Sequence, residues 1–416
     1  MRGVAGVLVS VGLMAVLAAP AHATFPGANG KLAVVIEENG FDDYAVATVN
    51  PDGSDLARLT TPPEVAQDPA WSADGSRIAF VAHAPTEHDD LFLMDANGQN
   101  RGKILDVPPI ATGPSPLPVP SGPSWSPDGA RIVFHHLDLW TIGTDGNGLG
   151  HLFGDAGLSP SSSPDWSPDG SRIAFVRASP EVFCDEEGEC TTSFRPDLWV
   201  MDSDGTDARP LTEDPGFDAA PSWSPDGSRI LFTHQGGLEI IDGDGGNRET
   251  VATLASDGVW SPDGTKIAFS GSDGIYVMDA DGGNRSLVLD ADFPGPRYRT
   301  PDWQAIPNSP PDCSGVTATP SSLWPPNKKL RSVLLSGATD PDRDTVTLGV
   351  TKVSHDEQAG RGADWRIGDG ATVLLRADRD PRGDGRAYAV EFEVTDEHGV
   401  SCTGTETVSV PRQKPK

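Results

Sequence analysis

Carboxylates supply most of the chemistry available to this chain. Asp340-Pro341-Asp342-Arg343-Asp344 places three aspartates at alternate positions. Oxygen donors so spaced suit a hard divalent cation, and calcium is the ion such a set would take, with Arg343 offsetting part of the charge. Asp-x-Asp-Gly recurs at Asp202-Ser203-Asp204, Asp242-Gly243-Asp244 and Asp279-Ala280-Asp281. Those segments lack the full ligand spacing of a helix–loop–helix calcium site, and Asp-Gly is the ordinary signal of a hairpin turn. Five further aspartates, Asp68, Asp165, Asp218, Asp257 and Asp302, each lie within five residues before a tryptophan. Catalytic sets are harder to assemble. His135 and His136 are neighbours in a strand-like segment, so their side chains point to opposite faces and do not suit one ion. The nucleophile pattern Gly-x-Ser-x-Gly does not occur, and the nine histidines are scattered without a matching acid, base and metal set. The expectation is a chain with no catalytic residues and no cofactor beyond calcium.

The elements that must position these groups announce themselves by repetition, which is read before any local assignment. Trp-Ser-Pro-Asp-Gly-x-Arg/Lys-Ile-Ala/Val/Leu-Phe begins at Trp125, Trp166, Trp223 and Trp260, and at Trp71 with Ala73 for proline. A degenerate copy surrounds Trp303. Tryptophan closes one strand, and Pro-Asp-Gly makes a tight turn: proline presets φ, Asp bonds nearby backbone and Gly takes the positive φ. Ile-Ala-Phe forms the next strand. A third strand such as Leu198-Trp199-Val200-Met201 runs into a second Asp-Gly turn, and a fourth follows at Arg209-Pro210-Leu211-Thr212. Four antiparallel strands in about 40 residues make one propeller blade. Asn29-Gly30-Lys31-Leu32-Ala33-Val34 matches the middle of the repeat without its Trp strand, and Trp303 offers that strand with nothing after it. Five whole repeats and one blade shared by the two ends predict six blades, closed into a ring that removes exposed sheet edges.

The Trp-Ser-Pro-Asp-Gly-x-x-Ile-Ala-Phe repeat resembles that of the TolB-type propellers, also described as WD40-like or PD40 repeats, over about residues 24–306. The resemblance implies an extracytoplasmic binding platform. It also implies that the Trp strand is the innermost of each blade and lines a central channel. Asp68, Asp165, Asp218, Asp257 and Asp302 would then stand in five of six blades near a channel mouth. Two readings stay open for them. They cap local backbone groups at strand starts, or they form a carboxylate ring whose focused negative potential draws in a cation or a basic peptide.

Two further segments flank this region. Residues 1–23 combine one early charge, Arg2, an apolar run from Val4 to Ala19 and Ala21-His22-Ala23, which reads as a secretory signal peptide. The predicted address is secreted or periplasmic, with no membrane insertion after cleavage. The propeller is expected over 24–308, a Pro-rich linker over 309–312 and a small β-sandwich over 313–416. In the last segment Tyr388, Val390, Phe392 and Val394 alternate with charged residues, and turns fall at Asp369-Gly370, Asp384-Gly385 and His398-Gly399. The pattern resembles Ig-like or cadherin-like modules of bacterial secreted proteins, and the cadherin-like resemblance implies a calcium role for Asp340, Asp342 and Asp344. Cys402 shares the inward parity of Val408 and Val410 and is expected to pair with Cys313. Cys184 and Cys190 would staple the acidic tip between them, a solvated loop or a docking knob for a basic partner.

Composition sets the partner class. With 31 basic and 61 acidic side chains the chain carries −30, which excludes nucleic acid and anionic lipid and favours basic partners or cations. Gly at 47 and Pro at 38 fit many turns rather than long helices. The sequence thus predicts an all-β, non-catalytic exported binding or scaffold protein with a protein or peptide partner. The alternative is a secreted propeller enzyme or glycan-binding protein acting on polysaccharide.

Overall fold

The computed structural model describes residues 27–37, 44–61, 64–83, 89–105, 120–136, 138–155, 161–184, 190–291, 297–342, 345–356, 364–380, 385–396 and 399–414, the side chains of 180–194 excepted. The signal-peptide reading of 1–23 lies outside them, as does Asp344. The described residues are all β, and the chain divides between Pro307 and Asn308 into two compact units.

The first unit is six four-stranded antiparallel sheets. Blade 1 takes its inner strand, Arg297–Pro307, from one end of the unit and its second strand, Gly27–Glu37, from the other, with Leu32 opposite Trp303. The inner strands of blades 2 to 6 are Val65–Trp71, Ser121–Trp125, Ser161–Trp166, Asp218–Trp223 and Ala255–Trp260. Each inner strand touches those of both neighbouring blades, Arg297–Pro307 included, so the ring is closed.

Local chemistry explains each blade. In the turn after Trp71, the Asp74 carboxylate accepts the Ser72 hydroxyl at 2.6 Å and the Ser76 N–H at 3.0 Å. Gly75 sits at φ 64°, where a Cβ would lie 2.0 Å from the Ala305 carbonyl oxygen, so only glycine fits that contact. Ile78, Ala79 and Phe80 of the following strand are fully buried. Burial continues from blade to blade as clusters that pair the Trp of blades 2 to 6 with the Ile and Phe of its own blade, while Trp303 packs on Leu32, Val34 and Ile36. The hairpin of blade 4 departs from the pattern: its ladder runs from Arg172↔Asp202 outward to Cys184↔Cys190, well past the blade. The backbones of the two cysteines face each other there, and their side chains lie outside the described set.

The second unit packs a four-stranded sheet (Thr317–Thr319, Leu330–Ser336, Thr372–Arg376 and Trp365–Ile367) against a three-stranded one (Thr347–His355, Gly385–Thr395 and Ser401–Pro411). Tyr388, Val390, Phe392 and Val394 all face the core, as their alternation predicts. Cys313 and Cys402 form a disulfide with Cα atoms 6.0 Å apart.

Candidate channel site

Every inner strand carries the same interruption three residues before its Trp. Asp68, Gly122, Ser163, Ala220, Asp257 and Thr300 all have positive φ, between 46° and 55°. Proline follows in five blades and Gly258 in the sixth. Proline cannot donate to the ladder, so it is accommodated where a bulge already breaks pairing. The register shifts confirm the bulge, for example between Gln67 and Ala70, and between Ala219 and Ser222. The residue three before each Trp and the residue one before it both line a central cavity of about 340 Å³.

The five aspartates grouped by sequence therefore occupy three registers. Asp68 and Asp257 stand three before their Trp, Asp165 and Asp302 stand one before it, and Asp218 stands five before it. The first four line the cavity, and among the described residues no Lys, Arg or His does. Asp218 is not in the lining. It is buried at the blade 4–blade 5 junction, where it accepts the Leu198 N–H at 3.1 Å and the Thr212 hydroxyl and contacts His234 Nδ1 at 2.7 Å.

The lining carboxylates also stitch blades together. Asp302 accepts the N–H of Trp71 in the next blade at 2.6 Å, and Asp165 accepts the N–H of Trp223 at 2.8 Å. Asp68 accepts the Gly122 N–H at 3.1 Å. Neutral hydroxyls complete the circuit: Ser124 accepts from Trp166, Thr233 from Asp257 and Ser270 from Thr300, each through the backbone N–H. Every blade junction thus has at least one side chain–backbone bond near the axis.

Three of these carboxylates face channel space on one side and are enclosed by protein on the others, so loss of hydration weighs on their ionised forms. Burial pushes Asp302 up to about 7, opposed by the Trp71 N–H bond and reinforced by the charge of Asp165. Burial likewise pushes Asp165 up to about 6, against the bonds from Trp223 and Ser124. Asp68 is raised by burial, against its bond from Gly122, with the charges of Asp257 and Asp89 adding to the rise. The turn aspartates behave oppositely. The Ser126 hydroxyl and the Ala130 N–H hold Asp128 below the usual range, and Thr206 does the same to Asp204 in its Asp-x-Asp-Gly turn. Those oxygens serve their own turns.

In the second unit Asp340 accepts the Asp342 N–H at 2.7 Å, and Asp342 accepts from Ser309. Among the described residues no group of three His, Cys, Asp or Glu is arranged to hold a metal ion.

One contact went unread in the repeat. The Arg of Asp-Gly-x-Arg lies over the Trp of the next blade: Arg77 over Trp125 at 4.8 Å, Arg131 over Trp166 at 5.2 Å, Arg172 over Trp223 at 4.7 Å and Arg229 over Trp260 at 5.1 Å. The periodic pairing of Arg with Trp was a visible signal, but its partner lies one repeat further on.

No known family model matches the chain. An uncharacterized peptidase of Bacillus subtilis, YuxL, is 33% identical over 66 residues, which is 16% of this chain and 9% of that protein. Among solved structures, TolB from Acinetobacter baumannii is 20% identical with a TM-score of 0.54 and a match over 66% of each chain. Kuenenia stuttgartiensis hydrazine synthase is 11% identical with a TM-score of 0.51, over 91% of this chain and 67% of that one. The chain thus spans 66% of TolB's length and 9% of the peptidase's. At these identities the likeness concerns fold. With the ring closure described above, it identifies the first unit as a TolB-like six-bladed β-propeller.

Proposed function

We propose that this protein is a non-catalytic binding platform, exported from the cytoplasm, whose propeller channel receives a positively charged segment of a protein or peptide partner. One observation carries the reading: Asp68, Asp165, Asp257 and Asp302 line a single cavity of about 340 Å³ with no basic side chain lining it among the described residues. Carboxylates held in an enclosed space focus negative potential, and a Lys or Arg side chain entering it gains more than it would at an open surface. The overall charge of −30 adds long-range attraction for such a partner.

The raised Asp165 and Asp302 fit this role. An incoming cation favours their ionised forms, so binding expels protons and strengthens as pH rises from 5 to 8.

The test is fluorescence anisotropy on the full chain with a labelled twelve-residue peptide of otherwise uncharged residues, carrying one central lysine or, as control, norleucine. The lysine form should bind at least about tenfold tighter, equivalent to about 1.4 kcal/mol. That preference should vanish in Asp68→Asn/Asp257→Asn/Asp302→Asn, whose amide oxygens can still accept the neighbouring backbone bonds. Equal affinity of the two peptides for the wild-type chain would overturn the proposal.

A further inference from the structure

The channel has a second, apolar feature at the end where its inner strands begin. Six residues before their Trp stand Phe217 in blade 5 and Leu254 in blade 6. They are 68% and 80% exposed, the most exposed of the large hydrophobic residues described. One turn fixes both: the Gln235 N–H bonds the Phe217 carbonyl at 3.2 Å, and the Ala255 N–H bonds the carbonyl of Gly236 at 3.0 Å. Gln235 Nε2 also donates to the Pro215 carbonyl at 2.7 Å. Leu254 has φ 54°, a left-handed conformation costly for a residue with a Cβ. Its side chain is thus held on a strained backbone and left in water. The equivalent residue of blade 2, Val65, is buried, and that of blade 1 is the exposed Arg297. Among the described residues the apolar rim therefore belongs to blades 5 and 6.

Leu254 stands immediately before the strand Ala255–Trp260, and three residues on is Asp257, in the channel lining. At about 3.3 Å per extended residue, their backbones are at most roughly 10 Å apart. That is the span of three residues in an extended peptide.

We infer that the rim at Phe217 and Leu254 is a specificity site for an extended polypeptide segment bearing an apolar side chain three positions from a Lys or Arg. The cation enters the acidic channel while the apolar side chain covers the rim. The occupant follows from charge complementarity: among the described residues, four carboxylates and no basic side chain line the central cavity, and Asp257, three residues on from Leu254, is one of them. On its blade 1 side Asp257 also borders a pocket lined by Arg297 and Arg299. The inference rests on the channel reading above and adds register to it.

The experiment compares three labelled twelve-residue peptides in a Gly/Ser background on the full chain, by anisotropy. One contains Leu-Ser-Ser-Lys, the second Ser-Ser-Ser-Lys, and the third Leu-Ser-Ser-Ser-Ser-Ser-Lys, which keeps both side chains out of register. The first should bind about five- to tenfold tighter than either of the others, the increment that burial of one leucine permits. In Phe217→Ser/Leu254→Ser, two exposed positions whose change leaves the core intact, the three should converge on the affinity of the second. Lysine over norleucine preference should survive in that variant, which separates failure here from failure of the channel reading. Equal binding of the first two peptides to the wild-type chain, or an increment that persists in the variant, overturns the inference. So does sedimentation showing a wild-type dimer that the variant converts to monomer, because the rim would then be a self-association surface.

Discussion

The channel of the propeller and the edge of the sandwich both bury carboxylates, and they satisfy them by opposite means. In the sandwich, Asp364 lies 3.3 Å from Arg376 and 3.5 Å from both Arg386 and His355. The phenol of Tyr388 accepts from Arg386 and donates to the Arg376 carbonyl, tying the group to the core. Charge there is met by charge within one unit. In the channel, the donors described for Asp165 and Asp302 are neutral N–H and O–H groups, most of them from neighbouring blades, and burial raises both. A buried carboxylate with a guanidinium beside it is a structural element. One without a cation still offers its charge to something that arrives from outside.

The two units also close differently. The propeller closes its ring by sharing a blade between its ends, with a polar bond at every junction. The sandwich relies on one core and a disulfide whose cysteines are 89 residues apart. In the chain-entropy account a cross-link of that span contributes about 4–5 kcal/mol. Cys313→Ser/Cys402→Ser should therefore lower the melting of the sandwich by roughly 20 °C in calorimetry of the full chain. The propeller transition should stay where it is. A joint shift of both transitions would break the contrast, because the units would then unfold as one.

Next in size is a pH effect confined to the channel. Asp302 has its pKa raised to about 7 from an ordinary 3.8, so the folded state holds a proton that the unfolded chain has released. Its contribution is complete below pH 3.8 and is lost as pH rises through 7. Asp302→Asn keeps an oxygen for the Trp71 N–H and removes that loss. It should stabilise the propeller by about 2 kcal/mol at pH 8, a figure discounted for channel water, with the gain shrinking toward pH 5. Chemical denaturation at the two pH values measures it. A constant difference between pH 5 and pH 8 would place Asp302 with Asp364, as a carboxylate already satisfied.

How much of this could be read from residues alone depends on distance along the chain. Six blades were legible because Trp, Pro-Asp-Gly and Ile-Ala-Phe recur in order, and because Asn29–Val34 and Trp303 are complementary halves. The clustering of aspartates before Trp was legible too. Their division was not, because simple alternation puts the positions one, three and five before Trp on one face. The bulge inserts an extra residue opposite the second strand. Asp218 pairs with His234 while Ser222 pairs with Leu231, which turns Asp218 to the other face. Phe217 and Leu254 were illegible for another reason: a lone apolar residue at a strand start looks the same whether it is buried or bare.

The smallest effect sharpens the account of the junctions themselves. The guanidinium of Arg172 lies over Trp223 at 4.7 Å and donates to the Gly243 carbonyl at 3.1 Å, so it joins blade 4 to blade 5 outside the carboxylate circuit. Arg172→Met keeps an unbranched apolar stem over the ring and removes both the cation and the donor. The expected cost is about 1 kcal/mol, a cation–π contribution plus one partly exposed hydrogen bond, read as a shift in the propeller midpoint with urea. Because the charge sits on an aromatic face and not beside Asp165, this cost should be equal at pH 5 and pH 8. A cost that grew with pH would mean that Arg172 supports the channel carboxylates electrostatically. The neutral-donor description of the channel would then be wrong at that junction.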